Sequence, residues 1–308
     1  MRRAIVLGAL AAVGALTVGV AGYQAQQQQQ QPRVVNVEKL KDNFYMLTGG
    51  GGNSTVFIRS GGVLVVDTKN PGWGQPLLAK IRELTDKPVT TIINTHTHGD
   101  HVSGNVDFPA TVDIIVQENT KANMEQMRPV TGLAQPATPP PNIFKEHNGQ
   151  GLAKRTFKDK MTVGSGAEQV QLYYFGRGHT NGDAWIVFPS LRFMSAGDIF
   201  SGKNLPLLDA NNGGSGAEIG NSLAKAADAI KNVDSVITGH STVMTWNDLR
   251  EYAQFNKEFL AYVQAGKKAG KSVDEAAAAW KIDPKYKGYQ IQEPRLKTNV
   301  QVIYNELK

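Results

Sequence analysis

Thr95-His96-Thr97-His98-Gly99-Asp100-His101 is the stretch on which the reading of this chain turns. It directly follows the apolar run of residues 91–94, so it is predicted to sit at the end of a buried strand. Three imidazoles and a carboxylate fall within six positions, and both donor types suit a divalent, zinc-like ion. His96 and His98 are two apart, so on extended backbone they point to the same side and can share one ion. Asp100 and His101 are predicted to lie in the turn that follows, where they can aim at a second ion close by. Packing four such residues together without a cation would leave buried polar groups unsatisfied.

The chain has six histidines, and two of the remaining three repeat this placement. His179 stands in the segment 176–183 (GRGHTNGD) after a strand-like run, and His240 ends another in 237–241 (ITGHS). Between them Asp198 closes the run 191–195 through Ala196 and Gly197, a carboxylate at the same kind of strand end. His147 lacks such a context and reads as a loop residue.

Taken in order, HTHGDH, GRGHTNGD, SAGDIF and TGHS resemble the metallo-β-lactamase superfamily, over a span from about Val34 to His240. The resemblance implies an α/β fold, the four-layer αββα sandwich, here with C-terminal helices, and a two-metal hydrolytic site. Residue by residue it implies that His96, His98 and His179 hold the first metal. Asp100, His101 and His240 would then hold the second, and Asp198 would bridge the two. It further implies two zinc ions, with iron or manganese as alternatives, and catalytic roles for Asp100 and Asp198. The sequence departs from the named β-lactamases at Asp198, where those carry cysteine or serine. A bridging aspartate is the pattern of the superfamily's thioesterases, lactonases, nucleases and other hydrolases, which moves the expectation away from the antibiotic but not from hydrolysis.

Outside these motifs, 308 residues and 41% hydrophobic composition allow a sizeable core. Arg2 and Arg3 followed by the apolar run 4–21 have the pattern of a signal peptide over residues 1–22, cleaved after Ala21 or Ala25. An uncleaved anchor is the competing reading, since the run is nearly long enough to span a bilayer. Residues 23–33 are a glutamine-rich linker without the apolar content to fold. A periplasmic or secreted protein is therefore expected, with no stable membrane insertion once the leader is removed. There is no cysteine, so neither disulfides nor a lipid-modified amino terminus nor a thiol nucleophile is available. The net charge of +6 includes the leader arginines, and no Lys/Arg cluster with interleaved aromatics follows, so a nucleic-acid partner has little support.

The catalytic domain is expected over 34–245 and a helical extension packed on it over 246–308. Residues 34–37, 44–47, 54–58 and 63–66 read as strands separated by glycine turns. The glycines at 49–52 form either a plain turn or a hairpin beside the metals. Asp67 reads as a structural hydrogen-bond acceptor. Apolar spacing predicts a helix over 75–84, a strand over 112–116 and a helix over 118–127. Prolines break the chain from Pro129 to Pro141, and Met124, Met127, Leu133, Ile143 and Phe144 either wall a site for an acyl group or cover the flank of the core. Strands are predicted at 170–175, 184–188, 191–195 and 233–238, with His179 and Asp198 at the ends of one antiparallel sheet. Asp183 either orients an imidazole or starts a strand. Helices are predicted over 219–230, 246–265, 272–280 with a Ser272/Glu275 capping box, and 299–307.

Two divalent ions lower the pKa of a shared water from about 16 to about 7, so no side-chain nucleophile is required. Three functional readings follow. The first is an exported dinuclear zinc hydrolase of a small ester, thioester, lactone or β-lactam; the second is a mononuclear iron enzyme akin to sulfur dioxygenases; the third is a non-catalytic exported accessory protein.

Overall fold

The computed structural model describes residues 33–307 apart from 135–136 and 138–140. The leader expected over 1–22 and the linker over 23–33, save Arg33, lie outside the described residues, as do Pro136, Pro139 and Pro140. Among the described residues no helix is long and apolar enough to cross a membrane.

Two sheets form the two inner layers. The first runs in spatial order β1 (Asn36–Lys41), β2 (Phe44–Thr48), β3 (Ser54–Arg59), β4 (Gly62–Val66), β5 (Val89–Ile93), β6 (Asp113–Gln117) and β7 (Arg155–Phe157). It is antiparallel from β1 to β4 and parallel from β4 to β7. The second comprises β8 (Lys160–Val163), β9 (Val170–Tyr173), β10 (Trp185–Phe188), β11 (Phe193–Gly197), β12 (Ser235–Thr238) and β13 (Met244–Thr245).

Strand alternation explains the four layers. Leu64, Val66, Ile93 and Ile115 of the first sheet meet Leu172, Ile186, Phe188 and Ile237 of the second in one buried cluster. Their sequence neighbours Val63, Val65, Ile92 and Ile114 point the other way, onto Leu77, Leu78 and Ile81 of α1 (Gly74–Leu84). On the far side Trp185, Val187, Met194 and Val236 pack against α5 (Ile219–Ala229) and α6 (Trp246–Lys268). The strands are therefore apolar on both faces, as strands covered twice must be. Four short helices, α2 (Gly99–Val102), α3 (Glu118–Met124), α4 (Ile143–Glu146) and α7 (Val273–Ala279), and the longer α8 (Glu293–Glu306) complete the set described. The capping box at Ser272 and Glu275 is present at the start of α7.

Several expectations need correction. The second sheet is mixed, because α5 carries the chain from β11 over to β12 and so makes that pair parallel. The first strand begins at Asn36 and lies on an edge, its charged residues 38, 39 and 41 exposed to water. The helix expected over 118–127 stops at Met124; Met127 takes a φ of 47° and Pro129 follows, which no helix accommodates. β7 and β8 are additional to the strands expected, each too short to show an alternating pattern, and between them the chain passes from one sheet to the other. The last helix starts earlier, with Pro294 in its first turn.

Candidate metal centre

All seven residues singled out by the sequence converge at one rim of the sandwich. His96 and His98 follow β5, His179 lies in the loop between β9 and β10, Asp198 follows β11 and His240 follows β12. The turn carrying Asp100 and His101 proves to be the short helix α2. Ligand-type atoms of His96, His98, His179 and Asp198 lie within 4.8 Å of one another, and those of Asp100, His101 and His240 form a second group on the same measure. Asp198 faces both. Its carboxylate is 3.2 Å from Nε2 of His101, 3.2 Å from Nε2 of His240 and 3.8 Å from Nε2 of His179.

Most of the rings have one nitrogen tied to the scaffold and the other turned inward. Nδ1 of His96 meets Thr95 Oγ1 at 2.9 Å, and that hydroxyl donates to Asp67 at 2.7 Å. Nε2 of His98 lies 2.8 Å from Asp209, leaving Nδ1 to face His179 Nε2 at 3.1 Å. His179 Nδ1 donates to the carbonyl of Leu207 at 2.6 Å. Nδ1 of His101 lies 2.8 Å from Asp67, and its Nε2 faces His240 Nε2 at 3.3 Å. Outer partners of this kind fix the tautomer and aim the free nitrogen.

The backbone beneath is held as firmly. Asn94 and Asn105 bond each other through their side chains, and Asn94 Nδ2 also reaches the carbonyl of His101 at 3.1 Å. Asn53 of the glycine hairpin spans to the other sheet, donating through Nδ2 to the carbonyls of Thr238 and Ser241 on either side of His240. That hairpin does lie beside the candidate ligands: a Cβ on Gly52 would come within 2.2 Å of the His101 ring. Lys69, fully buried, donates 2.6 Å bonds to the carbonyls of Leu47 and Gly52 and so clamps the hairpin from behind. Burial lowers this ammonium to about 7, against the pull of Asp67 and Asp100.

Electrostatics separates the two groups. Burial, helped by the neighbouring His101 and His179, holds His96 well below the ordinary histidine value, and burial with His98 lowers His179 to about 4. Burial opposes charge on His101 as well. There, however, Asp100, Asp198 and Asp67 lie within 3.6 Å, and each such pair is worth about 4 kcal/mol at 4 Å and an effective dielectric of about 20. The carboxylates win, and His101 sits well above its ordinary value. His240 is likewise raised to about 9 by Asp100 and Asp198 despite burial. Against their own burial, Asp100 is lowered to about 2 and Asp198 falls well below the ordinary carboxylate range.

This donor set fits divalent ions. Nε2 of His96 is buried with no hydrogen-bond partner among the described residues, a loss of about 1–3 kcal/mol unless a cation answers it. The other group gathers two carboxylates around paired imidazoles, a concentration of charge that protons or a metal must balance.

Two expectations on outer residues are resolved. Asp183 accepts from the backbone N–H and hydroxyl of Thr180, closing the turn after His179, and does not touch a ring; burial raises its carboxyl to about 7. Asp67 is the acceptor expected, and its partners are Thr95 and His101. Asp209 was not legible: it stands in an Asn- and Gly-rich loop with no periodicity, 111 residues from His98. Its other oxygen accepts from the backbone N–H of Thr131 at 3.0 Å, which anchors the proline-bearing loop.

The family model of the metallo-beta-lactamase superfamily matches residues 47–240. Among curated proteins the chain is 26% identical over 180 residues to the metallo-beta-lactamase type 2 of Elizabethkingia meningoseptica, covering 54% of this chain and 62% of that protein. It is 26% identical over 172 residues to the 2,4-dinitroanisole O-demethylase subunit alpha of Nocardioides sp. (strain JS1661), covering 54% and 47%. The chain thus spans less than two thirds of the length of either relative. Among solved structures, a metallo-beta-lactamase from Pontibacter korlensis is similar with a TM-score of 0.59 at 17% identity, over 73% of this chain and 99% of that one. The stereoselective inverting sec-alkylsulfatase Pisa1 from Pseudomonas sp. is similar with a TM-score of 0.66 at 14% identity, over 89% and 50%. At such identities the likeness is one of fold.

Proposed function

Because the chain belongs to the metallo-beta-lactamase superfamily, we propose that it is a two-metal hydrolase of a small acyl substrate, an ester, thioester, lactone or β-lactam. His96, His98 and His179 would hold one zinc-class ion and Asp100, His101 and His240 the other. The observation that carries this reading is the place of Asp198, with its carboxylate within 3.8 Å of ring nitrogens from both groups. Bound ions would supply Lewis acidity and a water acidified towards neutral pH.

The chain's own residues supply the rest. Asp198, whose carboxylate faces both groups, would bring negative charge to each ion. Asp100, whose carboxylate lies 3.6 Å from His101 and 3.2 Å from His240, would accept a hydrogen bond from the attacking water and orient it. The water would add its oxygen to the acyl carbon as the C–O, C–S or C–N bond breaks; one of its protons passes to the departing oxygen, sulfur or nitrogen, and the other is released to solvent as the new carboxylic acid ionises. Thr95, Asp67, Asp209 and the Leu207 carbonyl keep the rings in place throughout, so that no reorganisation is required during turnover.

The test is a hydrolysis panel of nitrocefin, a thioester, a lactone and a phosphodiester on the full chain, run together with metal analysis. Acyl cleavage with close to two zinc-class ions per chain supports the proposal. A single iron with oxygen uptake and no hydrolysis would replace it with the oxygenase reading.

A further inference from the structure

Beside the candidate ligand groups lies a cavity of about 340 Å³ to which the proposed chemistry assigns no role. Its inner wall is Thr97, His98, Gly99 and Ser103, so it opens directly onto one candidate ligand. Its outer wall is Met127, Pro129, Leu133, Pro141 and Ile143, with Arg128 and Asn212 as the remaining polar side chains. Arg128 is exposed and its guanidinium bonds Asn123 Oδ1 at 3.3 Å. The interior is otherwise apolar. Of the five residues read from sequence as either a wall or core cover, Met124 and Phe144 are buried in the core, Met127 and Ile143 pack against that core and also line the cavity, and Leu133 lines it.

The described ends of this wall are tied to the scaffold. Thr131 N–H donates to Asp209, Asn211 N–H to Thr131 Oγ1, and Asn211 Nδ2 to the carbonyl of Pro129 at 2.8 Å. Asn142 Nδ2 donates to the carbonyls of Met124 and Glu125. Leu133 nevertheless remains 50% exposed, one of three large hydrophobic side chains so exposed among the described residues. A leucine held out at the mouth of a fixed apolar cavity, next to a candidate metal ligand, marks a ligand site of the preformed kind.

Building on the hydrolase reading, we infer that this cavity is the subsite for an uncharged apolar acyl group of medium length. At about 30 Å³ per water- or methylene-sized group, its volume is on the order of ten such groups, enough for an eight-carbon chain. Arg128, exposed and bonded to Asn123, stands at the edge of the lining, so the apolar wall of Met127, Pro129, Leu133, Pro141 and Ile143 itself offers a charged acyl portion no partner, whereas each methylene buried raises kcat/KM about threefold to fourfold.

The experiment uses the metal-loaded full chain with p-nitrophenyl acetate, butyrate and octanoate, and with the variants Ile143→Trp, which fills the cavity, and Leu133→Asp, which places a charge at its mouth. Wild-type kcat/KM is expected to rise at least tenfold from acetate to octanoate. Both variants are expected to lose most of that rise, read as the octanoate-to-acetate ratio of kcat/KM within each variant. Octanoate binding, followed by calorimetry, is read in parallel and should weaken at least tenfold in both variants. Equal rates for all chain lengths, or octanoate binding unchanged in the variants, overturns the subsite. Acetate turnover without chain-length preference would leave the hydrolase standing and remove the subsite. Octanoate binding that the variants abolish, with no ester or thioester hydrolysed, would do the reverse.

Discussion

Oδ2 of Asp67 lies 2.8 Å from Nδ1 of His101 and 2.7 Å from the hydroxyl of Thr95, which in turn meets His96. One buried carboxylate therefore orients a ring in each of the two groups. In Asp67→Asn the amide cannot accept from both without turning its NH₂ towards one donor. Metal affinity is expected to fall about 10–100-fold with the fold retained. Competition with a chromophoric chelator measures it, and unchanged affinity would show that Asp67 is only structural.

His96→Ala, His179→Ala and Asp198→Ala are each expected to abolish turnover and to lower metal content. The first two remove donors that are neutral at working pH, and the third removes the carboxylate that faces both groups. Elemental analysis after dialysis gives the metal count. Near wild-type activity in any one of them would show that the assignment of that side chain is mistaken.

Gly52→Ala places a methyl group 2.2 Å from Cε1 of His101, a ring with no exposed surface. The hairpin cannot easily retreat, since Gly52 donates to the carbonyl of Asp100 at 3.1 Å and its own carbonyl is held by Lys69 at 2.6 Å. Overpacking of this sort costs about 1–3 kcal/mol. A drop in kcat of at least tenfold is expected, with circular dichroism unchanged.

Lys69 provides a pH test away from the ligands. Burial takes it from 10.5 to about 7 in the folded state, so between those values the unfolded chain binds the extra proton. Its contribution to stability is then complete above pH 10.5, is lost as pH falls, and is gone below about 7. Roughly 5 kcal/mol is at stake over the whole interval. Lys69→Met forfeits the bonds to Leu47 and Gly52 at every pH, so the comparison is one of slopes: urea stability should rise from pH 7 to 10 more steeply in the wild type. Parallel slopes would contradict a depressed lysine.

Much of the fold and centre was legible because both rest on local signals. Strand runs such as 63–66 and 91–94 are apolar on both faces, which only a doubly covered sheet permits, and each ligand motif stands at a strand end beside glycine. Gly197 and Gly239 show why: a Cβ on the first would lie 2.4 Å from Thr95 Oγ1, and on the second 1.8 Å from Asp198 Oδ1. What escaped depends on distant partners. β7 and β8 exist only by pairing with strands already in place, and a lysine at Lys69 gives no sign in sequence that its ammonium is buried. Nothing near Asp209 or Thr95 announces that each supports a histidine. Asp183 lies close to His179 in sequence, and that proximity misled, because its carboxylate serves the backbone.

Asp209 touches His98 with one oxygen and the backbone of Thr131 with the other. A single side chain thus joins the cavity wall to the ring that faces the ions, and whatever braces one end braces both. By thermodynamic reciprocity, an occupant that strengthened metal binding through this carboxylate would raise the equilibrium affinity for the ion by the same factor by which the ion raised the occupant's own. Resistance to a chelator becomes a measure of what the cavity contains.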